Sequence, residues 1–239
     1  MSIAESIEAS KAYPQVVAVH PTMGCWPSNI LRVHIVFNRP IQTTDAIRHI
    51  KLTNRDGADM SDAMLDLSDG LWTTDQKTLT ILFHPGRVKT GLTAGDLYGP
   101  TFTVGHTYQL TVSEGILSVD GRPLRCSYCH RFRVGPPINQ RLLSIVDKLV
   151  LVARTTHIDT AQPLDFLSAQ SYLAVTDRQG NRTPAQVTIA ADGQFISIQL
   201  PDSRQKDFIL RVHPYLEDVA GNRVNSPFET RKSATLSQP

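Results

Sequence analysis

Two stretches of this chain carry the same turn spacing, and that repetition constrains the fold more than anything in the composition. The segment "RPIQTTDAIRHIKLTNRDG" places 17 positions between Pro40 and Gly57, and "QPLDFLSAQSYLAVTDRQG" places 17 between Pro163 and Gly180. The match resumes downstream, where Tyr108 to Gly121 in "YQLTVSEGILSVDG" and Phe208 to Gly221 in "FILRVHPYLEDVAG" each span 13. Each copy is expected to close with an apolar strand, containing Phe132 in the first and Phe228 in the second. The middle of the first copy is longer, 51 positions from Gly57 to Tyr108 against 28 from Gly180 to Phe208, which predicts an insertion at about 68–104.

Between the turns the pattern is short alternating strands. "VVAVHP" at 16–21, "LRVHIVF" at 31–37, "LTILFHP" at 79–85 and "YQLTVSEG" at 108–115 put apolar residues at alternate positions and end near Gly or Pro, the signature of half-buried sheet. The run "LVLVA" at 149–153 has the length of a buried strand. Helical signals are few. "TTDAIRHI" reads as one short turn with a Thr or Asp cap, and "INQRLLSIVDKLVLVA" begins as a helix and turns β-branched. Gly57, Gly121, Gly180 and Gly221, with Asn222, sit where tight turns call for positive φ.

The chain is therefore expected to be all-β, with two tandem β-sandwich domains at 14–135 and 142–230. Pro136 and Pro137 stiffen a linker at 136–141, and flexible termini are expected at 1–13 and 231–239. With 239 residues, 41% of them hydrophobic, there is material for one large core or two ordinary ones. A formal charge of +2 gives no reason to expect nucleic acid as partner, and no apolar run approaches a transmembrane span. The opening "MSIAESIEASKAYPQ" has neither a basic n-region nor an apolar h-region, so no secretory signal is expected and a cytoplasmic location stays open.

The order of these elements resembles a known family. "FNRPI", "LTNRDG", "TLTILF", "GHTYQLTVS" and "VDGRPL", followed in the second copy by "LEDVAGNRVNSPFE", are similar to the bacterial Ig-like domain of the SbsA type, in two copies from about Gln15 to Phe228. More narrowly, "LWTTDQKTLTILFHPGRVKTGL" is similar to a motif of uncharacterised bacterial proteins built from two such domains, in which the position of His84 is usually acidic. The resemblance implies tandem Ig-like sandwiches of Greek-key type. It also implies a non-catalytic binding, adhesion or structural module of the cell envelope, periplasmic or extracellular, with a protein or an envelope polymer as partner.

Four groups of residues carry candidate chemistry. Cys126, Cys129 and His130 spell C-x-x-C-H, the pattern of covalent haem attachment and a partial ligand set for zinc or copper, with Cys25 or His84 as a further ligand. A local Cys126–Cys129 disulfide and plain reduced thiols compete with that reading. Trp72, His84, Arg87 and Lys89 form a possible ligand-binding loop, with Arg87 alternatively pinned by Asp75 or Asp96. Trp72, Tyr98 and Phe102 are either an exposed platform, which would suit a carbohydrate-binding accessory module, or core. Asp120 with Gly121, and Asp218 with Gly221 and Asn222, offer hard oxygen ligands to calcium. Arg122, Arg125, His130, Arg131 and Arg133 read as one charged strand face. No nucleophile elbow, metalloprotease motif or phosphate loop is present, so no enzyme activity and no resident cofactor are expected.

Overall fold

The structure, a computed structural model, describes residues 13–67, 69–88, 99–142, 148–190, 192–201 and 208–228. The expected flexible termini lie outside these residues, apart from Tyr13. The strands are β1 (Val16–His20), β2 (Cys25–Pro27), β3 (Arg32–Phe37), β4 (Ile50–Asn54), β5 (Leu71–Trp72), β6 (Thr78–Leu82), β7 (Thr107–Val112) and β8 (Tyr128–Gly135). They continue with β9 (Leu149–Leu151), β10 (Thr155–Asp159), β11 (Leu173–Thr176), β12 (Gln186–Ile189), β13 (Phe195–Gln199) and β14 (Phe208–Val212). The protein is all-β. No helix among the described residues is long and apolar enough to cross a membrane.

In the first half, one sheet has the order β1-β3-β6-β5 and the other β2-β8-β7-β4, with β2 running parallel to β8 and every other pairing antiparallel. Lettered along the chain, these are strands ABED against CFG with a short extra strand beside G, the order of an immunoglobulin sandwich. Alternation decides what each strand buries. Val33, Ile35 and Phe37 from β3 and Leu79 and Ile81 from β6 meet Leu52, Leu110, Phe132 and Trp26 from the facing sheet in one core. Aromatic rings fill its centre, with Phe132 stacked on Trp26 at 3.7 Å and Phe102 edge-on to Phe83 at 4.9 Å.

A second core gathers Leu151, Val175, Ile196, Ile198, Leu210 and Leu216 between the sheets β10-β13-β12 and β9-β14-β11. The sequence repeat recurs here pair by pair. The bridges Ile41↔Ser118, Thr53↔Asp59 and Leu117↔Pro123 reappear at the matched positions as Leu164↔Asp218, Thr176↔Arg182 and Glu217↔Arg223. Gly57, Gly121, Gly180 and Gly221 all have positive φ, between 78° and 90°, which a side chain at these turns would resist. Asn222 contributes its side chain instead, donating to Asp218 and accepting from the Phe228 backbone N–H.

Several expectations are corrected. No strand forms at Phe228, because its N–H folds back onto Asn222 Oδ1 at 2.9 Å, and β9 pairs with β14 where the first half has β8. The range 68–104 is not simply an insertion: β5 and β6 lie inside it, and Leu79, Ile81 and Phe83 are fully buried core. The "LVLVA" run forms an edge strand with Leu149 and Val150 exposed, so only Leu151 reaches the core. The helical start expected at 138–148 falls mostly at 143–147, outside the described residues. The turn at Ala46–His49 is a 3-10 helix whose preceding Asp45 makes no cap bond and pairs with Arg48. The matched position of the second copy holds the larger helix Phe166–Tyr172, which the sequence reading missed; its signal was Asp165, which caps Ser168 N–H at 2.8 Å.

The two halves share core as well as chain. Val219, on the last turn of the second half, packs with the first core, and its carbonyl accepts from the Leu31 N–H at 2.9 Å. Both tryptophans, Trp26 and Trp72, belong to the first half, so their fluorescence reports on that half alone. Val219→Ala should therefore lower the tryptophan-detected urea stability by about 2 kcal/mol, the cost of removing buried methyl groups from a filled site. An unchanged tryptophan transition would show that the turn merely rests on the first half.

Candidate functional site

The seam between the halves is built around one carboxylate. Asp165 ends the segment leading into the helix Phe166–Tyr172, and its side chain is 2% exposed. One oxygen caps the helix at Ser168 N–H. The other accepts from Arg32 Nε at 2.9 Å and lies 2.7 Å from His34 Nε2, both from strand β3 of the other half. Arg32 also pairs with Glu217, which in turn receives Arg223 Nε at 2.8 Å. An ionised carboxylate only accepts, so His34 carries its proton on Nε2, and its Nδ1 meets the Thr80 hydroxyl at 2.9 Å. His20 completes the contact by stacking flat on Phe166 at 3.9 Å.

Why these residues collect here follows from the strand. In β3 the apolar positions Val33, Ile35 and Phe37 face the first core, which turns Arg32 and His34 to the opposite face, toward the second half. Burial by itself would push the Asp165 carboxyl up, but the bonds and charges of His34 and Arg32 hold it down at about 2. Burial works against the Arg32 charge too, yet Asp165 and Glu217 raise its pKa on balance. Desolvation, then the neighbouring His34, lowers His20 to about 4. Beside the seam, burial raises Asp218 to about 6 despite its bonds to Asn222 and Ala220.

Next to this network opens a cleft of about 420 Å³ lined in part by Arg32, Leu71, Tyr172, Tyr215, Glu217 and Arg223. Tyr215 is 53% exposed, and the Arg223 guanidinium lies 5.0 Å over its ring. Tyr172 stacks on His213 at 5.1 Å and meets Tyr215 edge-on at 6.2 Å. A second groove of about 420 Å³, bordered by Arg182, Arg211 and His213, shares Ser171 and Tyr172 with the first. The two meet at Tyr172, and Arg32, Asp165, Glu217 and Arg223 of the first cleft are already matched by opposite charges.

The residues singled out in the sequence lie elsewhere. Cys129 and His130 are neighbours on β8 and point to opposite faces: Cys129 is exposed, whereas His130 turns inward and stacks on Trp26 at 5.1 Å. Burial lowers the His130 pKa, and its Nε2 is enclosed without a hydrogen-bond partner. One zinc or copper ion cannot be shared by side chains on two faces of a strand, a haem bonded at its edge to the exposed Cys129 cannot take the inward His130 as axial ligand, and no metal-binding group of three such residues occurs among the described residues. Cys25, Cys126 and Cys129 are all free thiols, so the disulfide is absent too. Pairing of Thr111 with Cys129 keeps β8 extended where a short bridge would need a turn.

The proposed loop does not converge either. Trp72 is half-buried against Phe37 and donates its indole N–H to the Asp69 carbonyl, while Phe102 is core. His84 accepts from Gly86 N–H, and the buried Arg87 is pinned by Asp62 at 3.0 Å and the Gly99 carbonyl, where Asp75 was expected. Lys89, Tyr98 and Asp96 lie outside the described residues. The calcium candidates are consumed by their own turns. Asp218 accepts from Ala220 N–H, Asn222 N–H and the Asn222 amide, and Asp120 from the Ser118 hydroxyl, with Arg39 and Arg122 beside it.

No family model matches the chain, and no curated protein matches it. Solved structures give distant likenesses. CopC from Methylosinus trichosporium OB3b is 15% identical over 54% of this chain and 99% of its own, with a TM-score of 0.35. Native alpha-2-macroglobulin from Escherichia coli, spanning domains MG0-NIE-MG1, is 11% identical over 84% of this chain and 60% of its own, at 0.34. SGBP-B of Bacteroides ovatus, in complex with a mixed-linkage heptasaccharide, is 15% identical over 84% of this chain and 40% of its own, at 0.23. The sandwich fold rests on the strand order above, and these scores carry no argument about what the chain binds.

Removing the Asp165 charge leaves Arg32 with Glu217 alone and His34 without an ionised acceptor in the buried seam. Asp165→Asn should cost about 3 kcal/mol by urea unfolding at pH 7. Because the folded pKa of Asp165 is depressed, its contribution is present above about pH 4 and lost as pH falls through about 2, so the parent should lose its advantage over the variant across that window. His20 also has a depressed folded pKa, and its contribution fades as pH falls from 6.5 toward 4. Asp218, whose pKa is raised, works the other way: its favourable contribution is complete below about 3.8 and disappears as pH rises through about 6. The stability gap between the parent and His20→Gln should therefore narrow between pH 7 and 4.5, and a constant gap would refute the assignment to His20.

Proposed function

We propose that the protein is a non-catalytic binding module of the bacterial cell envelope, and that its ligand is a neutral glycan segment of an envelope polymer lying along the seam cleft. The observation that carries this reading is the shared aromatic ridge. Tyr172 borders both grooves and Tyr215 borders the first, giving flat apolar faces on which sugar rings stack, while Arg32, Glu217 and Arg223 around them supply donors and acceptors. Since the charges of the first cleft are matched in pairs, a polyhydroxylated neutral ligand gains hydrogen bonds there without leaving a charge stranded. Two grooves that share Ser171 and Tyr172 favour an extended chain over a single small molecule.

The envelope location rests on the resemblance of the sequence to SbsA-type domains. The non-catalytic reading is supported by the way the hydroxyl, imidazole and carboxylate of Thr80, His34 and Asp165 are spent. Their connectivity is that of a nucleophile relay, but the Asp165 oxygen that faces His34 also takes Arg32, and Thr80 is itself buried. Covalent labelling of Thr80 by an activated acyl or phosphonyl probe would overturn it.

Isothermal titration with a panel of soluble envelope and plant-type glycans tests the binding claim. At least one neutral oligosaccharide should bind, and Tyr215→Ala and Tyr172→Ala should each weaken it by about tenfold, the loss expected on removing an aromatic anchor. Silence across the panel, or unchanged affinity in both variants, would dismiss the glycan.

A further inference from the structure

The outward face of the sheet β2-β8-β7-β4 carries a second cleft, of about 460 Å³, far in character from the seam. It lies between the turn that follows β4 and the neighbouring strands β7 and β8, with Thr53, Asn54, Arg55, Thr107, Gln109 and Arg131 on its walls and no carboxylate among its lining residues. We propose that this cleft is a binding site for a phosphate group, gripped between the guanidinium groups of Arg55 and Arg131. Of the five arginine and histidine residues that the sequence grouped as a charged face, only Arg131 enters this cleft; His130, next to it, points into the core.

Both walls are held in place by bonds that leave the cationic groups unspent. Gln109 accepts from Arg131 Nε at 2.8 Å through its amide oxygen, while its amide nitrogen approaches Thr111 Oγ1 at 3.1 Å and Cys129 Sγ at 3.7 Å. Arg131 Nε–H is only a donor, so this contact fixes which end of the amide faces the arginine and aims the guanidinium along the sheet. The terminal nitrogens of Arg131 remain for a ligand. Across the cleft, Asn54 Oδ1 accepts the N–H groups of Asp56 and Ala58 at 3.0 and 2.9 Å, and Gly57 at φ 82° closes the turn that presents Arg55. Asp56 adjoins Arg55 in sequence but does not line the cleft, and neither arginine is ion-paired among the described residues. Lys51, on the same sheet face, is by contrast engaged with Asp59 at 3.3 Å.

Two guanidinium groups lining one cleft without a carboxylate offer the forked donors and positive charge that a tetrahedral oxyanion takes, and the threonine hydroxyls and the Asn54 amide add neutral donors. The repeat serves as an internal contrast. In the second half, Arg178 stands at the place of Arg55, but Ile209 replaces Gln109 and no strand among the described residues corresponds to β8. Among the described residues, the cleft is lined by the first half alone.

Backbone NMR titration of the full chain with inorganic phosphate and, separately, with glucose 1-phosphate tests the assignment. Saturable shifts are expected at Thr53, Arg55 and Gln109, with tighter binding of the sugar phosphate if the group is carried on a saccharide and tighter binding of the inorganic ion if it is captured free. Arg55→Gln and Arg131→Gln should each reduce the better affinity by at least about tenfold, as loss of a charge-assisted contact predicts. Arg131→Lys should rescue it only in part, because the fork is lost while the charge is kept. Lys51→Gln and Tyr215→Ala should leave it unchanged. Absence of saturable shifts with both probes, or an equal loss in Lys51→Gln, would overturn the proposal, the second outcome pointing to diffuse charge in place of a site.

Discussion

A single buried carboxylate holds the two halves of this protein in register. Asp165 receives a helix N–H on one oxygen and two side chains of the opposite half on the other, so the helix cap and the docking of the halves share one group. Buried charges cost several kcal/mol in desolvation unless every one is paired. Here the pairing extends outward through Arg32, Glu217 and Arg223 until it reaches solvent beside Tyr215. The cleft is thus the exposed end of the structural network, which gives its rim side chains a fixed geometry before any ligand arrives.

The repeat supplies two sandwiches and then departs from symmetry where the halves meet. Asp165 occupies the position that Gln42 holds in the first copy, and Asp218 the position of Ser118. Both substitutions exchange a neutral polar group for an acid in a buried place. One is neutralised across the seam. The other is satisfied within its own turn, whose bonds only partly offset the rise in pKa that burial causes. Among the described residues, β9 lies beside β14 where the first half has β8 beside β7. The sheets of the second half have three strands each among the described residues, against four in the first half.

Much of this architecture was legible in the sequence because it depends on local periodicity. Alternation in "LRVHIVF" and "YQLTVSEG" gave strands, and the matched glycines gave turns whose bridges recur at the same places. The seam was not legible. Arg32 and His34 look like the polar side of any surface strand, and nothing local links them to an aspartate in the other copy. Their burial is a tertiary fact. Two hints were present: a histidine on a strand otherwise apolar at its centre, and an Asp directly ahead of the Phe166 helix. The C-x-x-C-H pattern misled for the opposite reason, since adjacency in sequence is separation across a β-sheet. Arg131 was visible as part of a charged face, but its partnership with Arg55 depends on the pairing of β4, β7 and β8, which composition does not encode.

The position of Val219 has a consequence for the order in which the protein can be completed. Most of the first core is encoded before residue 135, yet one of its buried side chains, Val219, is met only near the far end of the chain. During synthesis the first sandwich therefore emerges from the ribosome with an unfilled apolar recess and an open Arg32 and His34 face. It stays that way until the second sandwich has formed its final turn. Such a chain carries a built-in delay between the appearance of its first half and the closing of its surface, an interval in which a chaperone would find the recess exposed.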